Sequence, residues 1–271
     1  MPRAGSTDTD KLELMGQWDA VDGTQFNVRM GPDYSSTKLK APSAPTLYET
    51  FAVDIFRTSK KAFHIARAFE LEEIKQELVS TLPSVIIVNI LCPIYAPPMF
   101  SSQTDGEGFS MVIFCRLTEC TRKIISAGET SPAIQLLERF VSQDADVEMR
   151  SRFKCIPKAL NTDELNLGRI LSSLIKSYNA TPFLTACGQQ VHYFLGQNYF
   201  EIDLDIHRFS SLARNGFFHV KHMIPKIEAD FTFLVEGRSN EELPEQLLGG
   251  FKAFGIKYFN SEELDVASLE N

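Results

Sequence analysis

The chain has 271 residues, 44% hydrophobic and 23% charged, enough apolar mass to bury a core without disulfide or metal staples. A formal net charge of −8 argues against nucleic acid as the main partner, because phosphate binding needs a clustered basic surface. Five cysteines, none in a Cys-x-x-Cys pair, read as reduced thiols of a cytoplasmic compartment, and no apolar run is long enough to span a bilayer.

In chain order, residues 1–12 are polar and read as disordered, without the apolar stretch of a secretory signal. Residues 14–30 alternate like a strand around Trp18, Phe26 and Val28, ending at Gly31-Pro32-Asp33. A second strand is expected over 48–57 and a helix over 60–82, stopped by Pro83. Residues 85–91 form a continuous apolar strand and 109–116 another, with prolines and a polar turn between them. Ile134, Leu137 and Val141 recur at helical spacing over 131–142.

Further on, a strand is expected over 150–160 and a helix over 163–177. Residues 183–194 and 199–206 read as a hairpin across Gly196-Gln197-Asn198. Residues 209–222 are partly helical, 226–236 are a strand, and 243–254 read as a short helix. The tail 260–271 is acidic and expected to be loose. The sum is one α+β domain over 13–259, a large curved antiparallel sheet with packed helices that could enclose an apolar cavity.

Residues 199–207 carry the strongest signal. Ile202, Leu204 and Ile206 point to one side of the strand while Glu201, Asp203, Asp205 and His207 point to the other. Three carboxylates in a row repel one another unless cations, a metal or hydrogen-bond donors answer them. Same-face neighbours stand about 6.6–6.8 Å apart, too far for the outer members to share one ion easily. The alternatives are a metal-binding or hydrolytic site built on this face, or acids that pair with cross-strand Lys and Arg or with backbone.

No GxGxxG, P-loop, GxSxG or HExxH pattern occurs, so no cofactor, metal or catalytic residue is assigned. Twenty-one Phe against one Trp suit a thick core or a greasy cavity. Phe183, Phe194, Phe231 and Phe233 are candidate cavity walls. Lys38 with Lys40, and Lys221 with Lys226, form two small basic clusters able to meet anionic head groups.

Three groups of residues carry a family resemblance. The first is Trp18, then Phe26-Asn27-Val28-Arg29-Met30-Gly31-Pro32-Asp33-Tyr34 and Lys38-Leu39-Lys40-Ala41-Pro42-Ser43. In the middle, an apolar strand leads to Cys92-Pro93. Last come the run from Gly196 through Asn198, Tyr199, Glu201, Asp203 and Asp205, then residues 229–236 and Glu242-Leu243-Pro244-Glu245. With these the chain resembles the C-terminal domain of the plant "enhanced disease resistance" protein, over roughly 18–255. Met30 departs from the family's usual Gly. The resemblance implies no catalytic residues. It implies the company of lipid-binding, membrane-associated regulators, with a stand-alone domain expected here, so that membrane targeting by the plant protein's pleckstrin-homology and StAR-related modules is not carried over.

Three functional expectations stand at this point. The first is a non-enzymatic lipid- or small-hydrophobe-binding regulatory domain, cytoplasmic with peripheral membrane contact. The second is a structural or adaptor subunit with a protein partner, held by an apolar patch. The third is a hydrolase or metal-binding protein using the Glu201, Asp203, Asp205 and His207 face.

Overall fold

A computed structural model describes residues 1, 3, 14–69, 82–97, 104–165, 168, 172, 175 and 179–270. Among them, two five-stranded sheets and a two-stranded ribbon form the frame. The first sheet has the order β1 (Gln17–Ala20), β12 (Leu247–Phe254), β11 (Glu228–Val235), β7 (Phe153–Ala159) and β8 (Phe183–Leu184). The second has the order β4 (Tyr48–Thr58), β6 (Gly108–Leu117), β5 (Val85–Pro93), β10 (Tyr199–Asp205) and β9 (Val191–Leu195). The ribbon pairs β2 (Asn27–Arg29) with β3 (Lys40–Pro42).

The expected α+β domain with antiparallel sheet is what forms, although the sheet is divided in two. The one parallel pair among these ladders is β10 with β5. Alternation on each strand turns one row inward, and the inward rows of both sheets share a core. Phe233, Val235, Phe251 and Phe153 enter it from the first sheet, and Ile55, Ile113, Val88, Ile202 and Leu204 from the second.

Helices close the ends of this sandwich: α1 (Tyr34–Thr37), α2 (Glu119–Ser126), α3 (Pro132–Val141), α4 (Val147–Arg150) and α5 (Ser211–Val220). α3 starts where the Ser131 hydroxyl accepts from the Ile134 amide, with Pro132 in the first turn. Its apolar stripe carries Phe140, whose ring lies 5.7 Å from Phe200 of β10 and 6.5 Å from Phe153 of β7. The ribbon covers the outside of the first sheet, with Val28 against Leu234, Leu247 and Ile156.

Several expectations are corrected. Residues 243–254 are not a helix: Leu247–Phe254 is strand β12, the partner of both β1 and β11. Gly249 and Gly250 cost a helix about 1 kcal/mol each. In the strand Gly250 is required, because a Cβ there would lie 2.5 Å from the Phe231 carbonyl oxygen. Residues 14–30 divide into β1, a 3-10 turn at Gly23–Gln25, and β2. Within 60–69 the helix is only the 3-10 turn Ile65–Ala68, and 70–81 lie outside the described residues.

Most of the 163–177 helix also lies outside, although the Ser172 amide bonds the Gly168 carbonyl in helical spacing. Phe183 leaves the expected hairpin to join β7 in the other sheet. The tail is not loose. Val266 and Leu269 are buried against Ala62, and Arg57 and Arg67 donate to the carbonyls of Ser261 and Leu269. Of residues 1–12, only Met1 and Arg3 are described; Arg3 bridges to Trp18.

Candidate functional site

Strand β10 lies between β5 and β9, and its outward row, turned away from the inter-sheet core, is covered by another segment of the chain. Glu201, Asp203 and Asp205 are each fully buried. Residues 61–66 lie across them. The Glu201 carboxylate accepts from two successive amides, Ile65 at 2.7 Å and Ala66 at 3.0 Å. Asp203 accepts from the His64 amide at 2.8 Å and from Asn89 Nδ2 at 3.1 Å, and Asn89 also donates to the Ala62 carbonyl. Lys61 Nζ reaches Asp205 at 3.1 Å.

The row is therefore answered mainly by backbone N–H groups, as in a capped helix start, with Lys61 as its close cation. Burial drives the Asp203 carboxyl well above the usual carboxylate range, and the adjoining Glu201 charge adds to this. Burial also raises Asp205, against the pull of Lys61. His207 sits on the 3-10 turn Ile206–Arg208, buried, with Nδ1 3.1 Å from the Tyr95 hydroxyl. Burial, with Lys61 nearby, pushes its imidazole down to about 4, so it is neutral at pH 7. Chemically, this face clamps a chain segment. Glu201 and Asp203 point at amides and Asp205 at Lys61, and all three are buried among the described residues.

The flanking residues serve the same clamp. The Asn198 carbonyl accepts from the Val85 amide, and the Tyr199 hydroxyl meets His64 Nε2 at 2.8 Å. Phe194 stacks on the His64 ring at 4.4 Å. Gly196 is fixed by Tyr199, whose ring would lie 2.0 Å from a Cβ at that position.

The Glu242-Leu243-Pro244-Glu245 segment is a second polar knot, at the far end of β11. Glu242 accepts from the Arg238 and Ser239 amides, from Arg139 at 2.7 Å and from Arg152 at 2.9 Å. Burial alone would raise its carboxyl, but these donors outweigh burial and bring it down to about 2. Glu236 holds Lys154 at 2.7 Å and Arg29 at 2.8 Å, and Glu245 accepts from the Gly237 and Arg29 amides. Sequence reasoning did not identify these basic partners, which come from β2, α3, β7 and the turn just before β7.

The four candidate wall residues do not surround one space. Phe233 is 1% exposed and stacks on Phe153, Phe231 stacks on Phe251, and Phe183 meets Phe209 edge-on. Phe194 belongs to the other sheet. A pocket lined by Leu47, Leu136, Leu137 and Leu248 has about 10 Å³ of free volume, the size of one water.

The basic candidates fall into two separate places. Lys38 and Lys40 ride on the ribbon, beside the end of β11. Lys221 and Lys226 precede β11, at its other end. Lys221 lies over the Phe218 ring at 4.0 Å and donates to the Ile94 carbonyl, whereas Lys226 is exposed.

The wider surroundings of this second pair are distinctive. Residues 206–227 contain Arg208, Arg214, Lys221, Lys226, three histidines and no acid, in a chain of net charge −8. They form α5 and the 3-10 segment Lys221–Lys226, neither of which has a buried residue. Leu212 is 61% exposed, and Asn215, His219, His222 and Lys226 are exposed as well. A count of acids along the sequence would have revealed this segment.

No group of His, Cys, Asp and Glu among the described residues is arranged to hold a metal, and no helix among them is long and apolar enough to cross a membrane. All five cysteines are unpaired. Residues 18–256 match the family described as Protein ENHANCED DISEASE RESISTANCE 2, C-terminal, a span running from the first strand to just past the last. Among curated proteins, the chain is similar to "Protein ENHANCED DISEASE RESISTANCE 2-like" of Arabidopsis thaliana, 29% identical over 246 residues. That alignment covers 89% of this chain and 28% of the plant protein, so the chain spans less than a third of that relative's length. No solved structure matches the chain.

Proposed function

Given that this chain belongs to the family of the C-terminal domain of Protein ENHANCED DISEASE RESISTANCE 2, we propose that it is a non-enzymatic, regulatory lipid-binding domain that sits peripherally on anionic, cytoplasm-facing membrane surfaces. The observation that carries the reading is the acid-free segment 206–227, exposed or half-buried throughout except at His207, with cations interleaved among Phe and Leu. Such a segment is attracted to anionic head groups while its apolar side chains settle at the acyl boundary. The packed Phe pairs favour lipid contact at the surface over an enclosed ligand. The clamped state of Glu201, Asp203 and Asp205 favours a binding role over hydrolysis.

Vesicle flotation tests the reading. Binding is expected to phosphatidylcholine vesicles containing phosphatidylserine and not to phosphatidylcholine alone, and it should weaken as salt is raised, because exposed charges are screened. Equal binding to both vesicle types, or to neither, would overturn it.

A further inference from the structure

We propose that the apolar anchor of this membrane surface is Phe259, seated with Leu14 on a rigid turn beside the basic segment and inserted into an anionic bilayer. This inference rests on the membrane-surface reading above. Phe259 and Leu14 are 52% and 51% exposed. The segments that carry them are tied together: Asn260 Nδ2 donates to the Leu14 carbonyl at 2.6 Å, and the Lys257 amide to the Met15 carbonyl at 3.1 Å.

The 3-10 turn Tyr258–Asn260 is braced from below. The Tyr258 ring stacks on Phe109 at 4.6 Å and 13°, and Phe109 is 3% exposed. Phe217 of α5 approaches the same Phe109 ring at 6.4 Å. The turn and α5 are thus mounted on one buried ring. A second link is backbone, just before the turn: the Gly255 amide donates to the Ile227 carbonyl at 3.3 Å, next to Lys226.

A side chain fixed in an exposed pose loses little conformational freedom on insertion, which favours a bilayer anchor over a flexible loop tip. Charge selects the occupant. The adjoining 22 residues carry four Lys or Arg and no Asp or Glu, so a surface dense in negative charge fits, while zwitterionic lipid gains nothing from them. The acids that follow the turn, Glu262 and Glu263, are drawn along the edge of β4, where their backbones pair with Arg57.

The test uses the full chain with two vesicle compositions, phosphatidylcholine alone and phosphatidylcholine with phosphatidylserine. Phe259→Ala should bind the mixed vesicles roughly tenfold more weakly, the loss expected for one phenyl ring leaving an apolar site. Its melting temperature should match the parent, since the ring is exposed. In a second variant, Phe259→Trp, emission should move to shorter wavelength when mixed vesicles are added; Trp18, 3% exposed, supplies a constant background. If the parent binds mixed vesicles while Phe259→Ala binds equally well and Phe259→Trp emission stays put, the anchor is wrong and the membrane reading survives. If the parent binds neither vesicle type, both fail, and a protein becomes the partner to seek.

Discussion

Glu201 holds two consecutive amides of the Ile65–Ala68 turn with its two oxygens. Glu201→Gln would turn one oxygen into an amide donor facing an N–H, leaving buried donors unmatched. We expect a loss of about 1–3 kcal/mol in urea denaturation. Glu242 gives a prediction that depends on pH. Its carboxyl falls from 4.5 to about 2 in the folded chain, so its contribution is complete above about pH 4.5 and is lost as pH falls toward 2. Arg139 is half exposed, which moderates the effect. Glu242→Gln should cost on the order of 2 kcal/mol at pH 7, with the gap to the parent closing through the acid range in denaturant titrations. Asp203 has the opposite sign. Its raised carboxyl keeps its stabilisation in full below pH 3.8, and that stabilisation is given up as pH rises through the folded value.

At the scale of elements, alternation and helical spacing were good guides where one face decides burial. The strands expected at 48–57, 85–91, 109–116 and 226–236 and the helix at 131–142 match β4, β5, β6, β11 and α3. The acidic row was legible as a face, but its partners were not, since Ile65 and Ala66 are 136 and 135 residues from Glu201 and nothing local points to them. β12 was misread because Leu247, Leu248 and Phe251 imitate helical spacing. The shift of register between Phe233 and Leu234 lets Leu247 face the ribbon and Leu248 the main core. Gly250 is the discriminating residue. Gly250→Ala should lower stability by more than about 2 kcal/mol, measured by thermal melting, because the clash is with backbone and cannot be relieved by a rotamer change.

For the whole molecule, the chain is layered. The row on β10 grips residues 61–66, and the tail closes over them through Val266, Leu269 and the bonds of Arg57 and Arg67. The Glu201–Asp205 row and the Glu242–Glu245 segment serve as internal fasteners, one on the outer face of the second sheet and one beyond the end of β11. The surface read as meeting lipid is carried instead by a stretch with no motif, which explains why pattern recognition pointed to the fasteners.

The closure of the first sheet has a consequence for how the chain is made. Among the named strands β1 pairs with β12, Gln17 facing Phe254, and β10 must slip between β5 and β9. During synthesis β1 therefore waits for its sheet partner until β12 has emerged, and the second sheet cannot be completed before β9 and β10 are made. Such non-local pairing makes folding slow and leaves apolar edges open to wrong partners meanwhile. A ribosome-bound nascent chain of this domain is for that reason a natural client for chaperones until its last strand arrives.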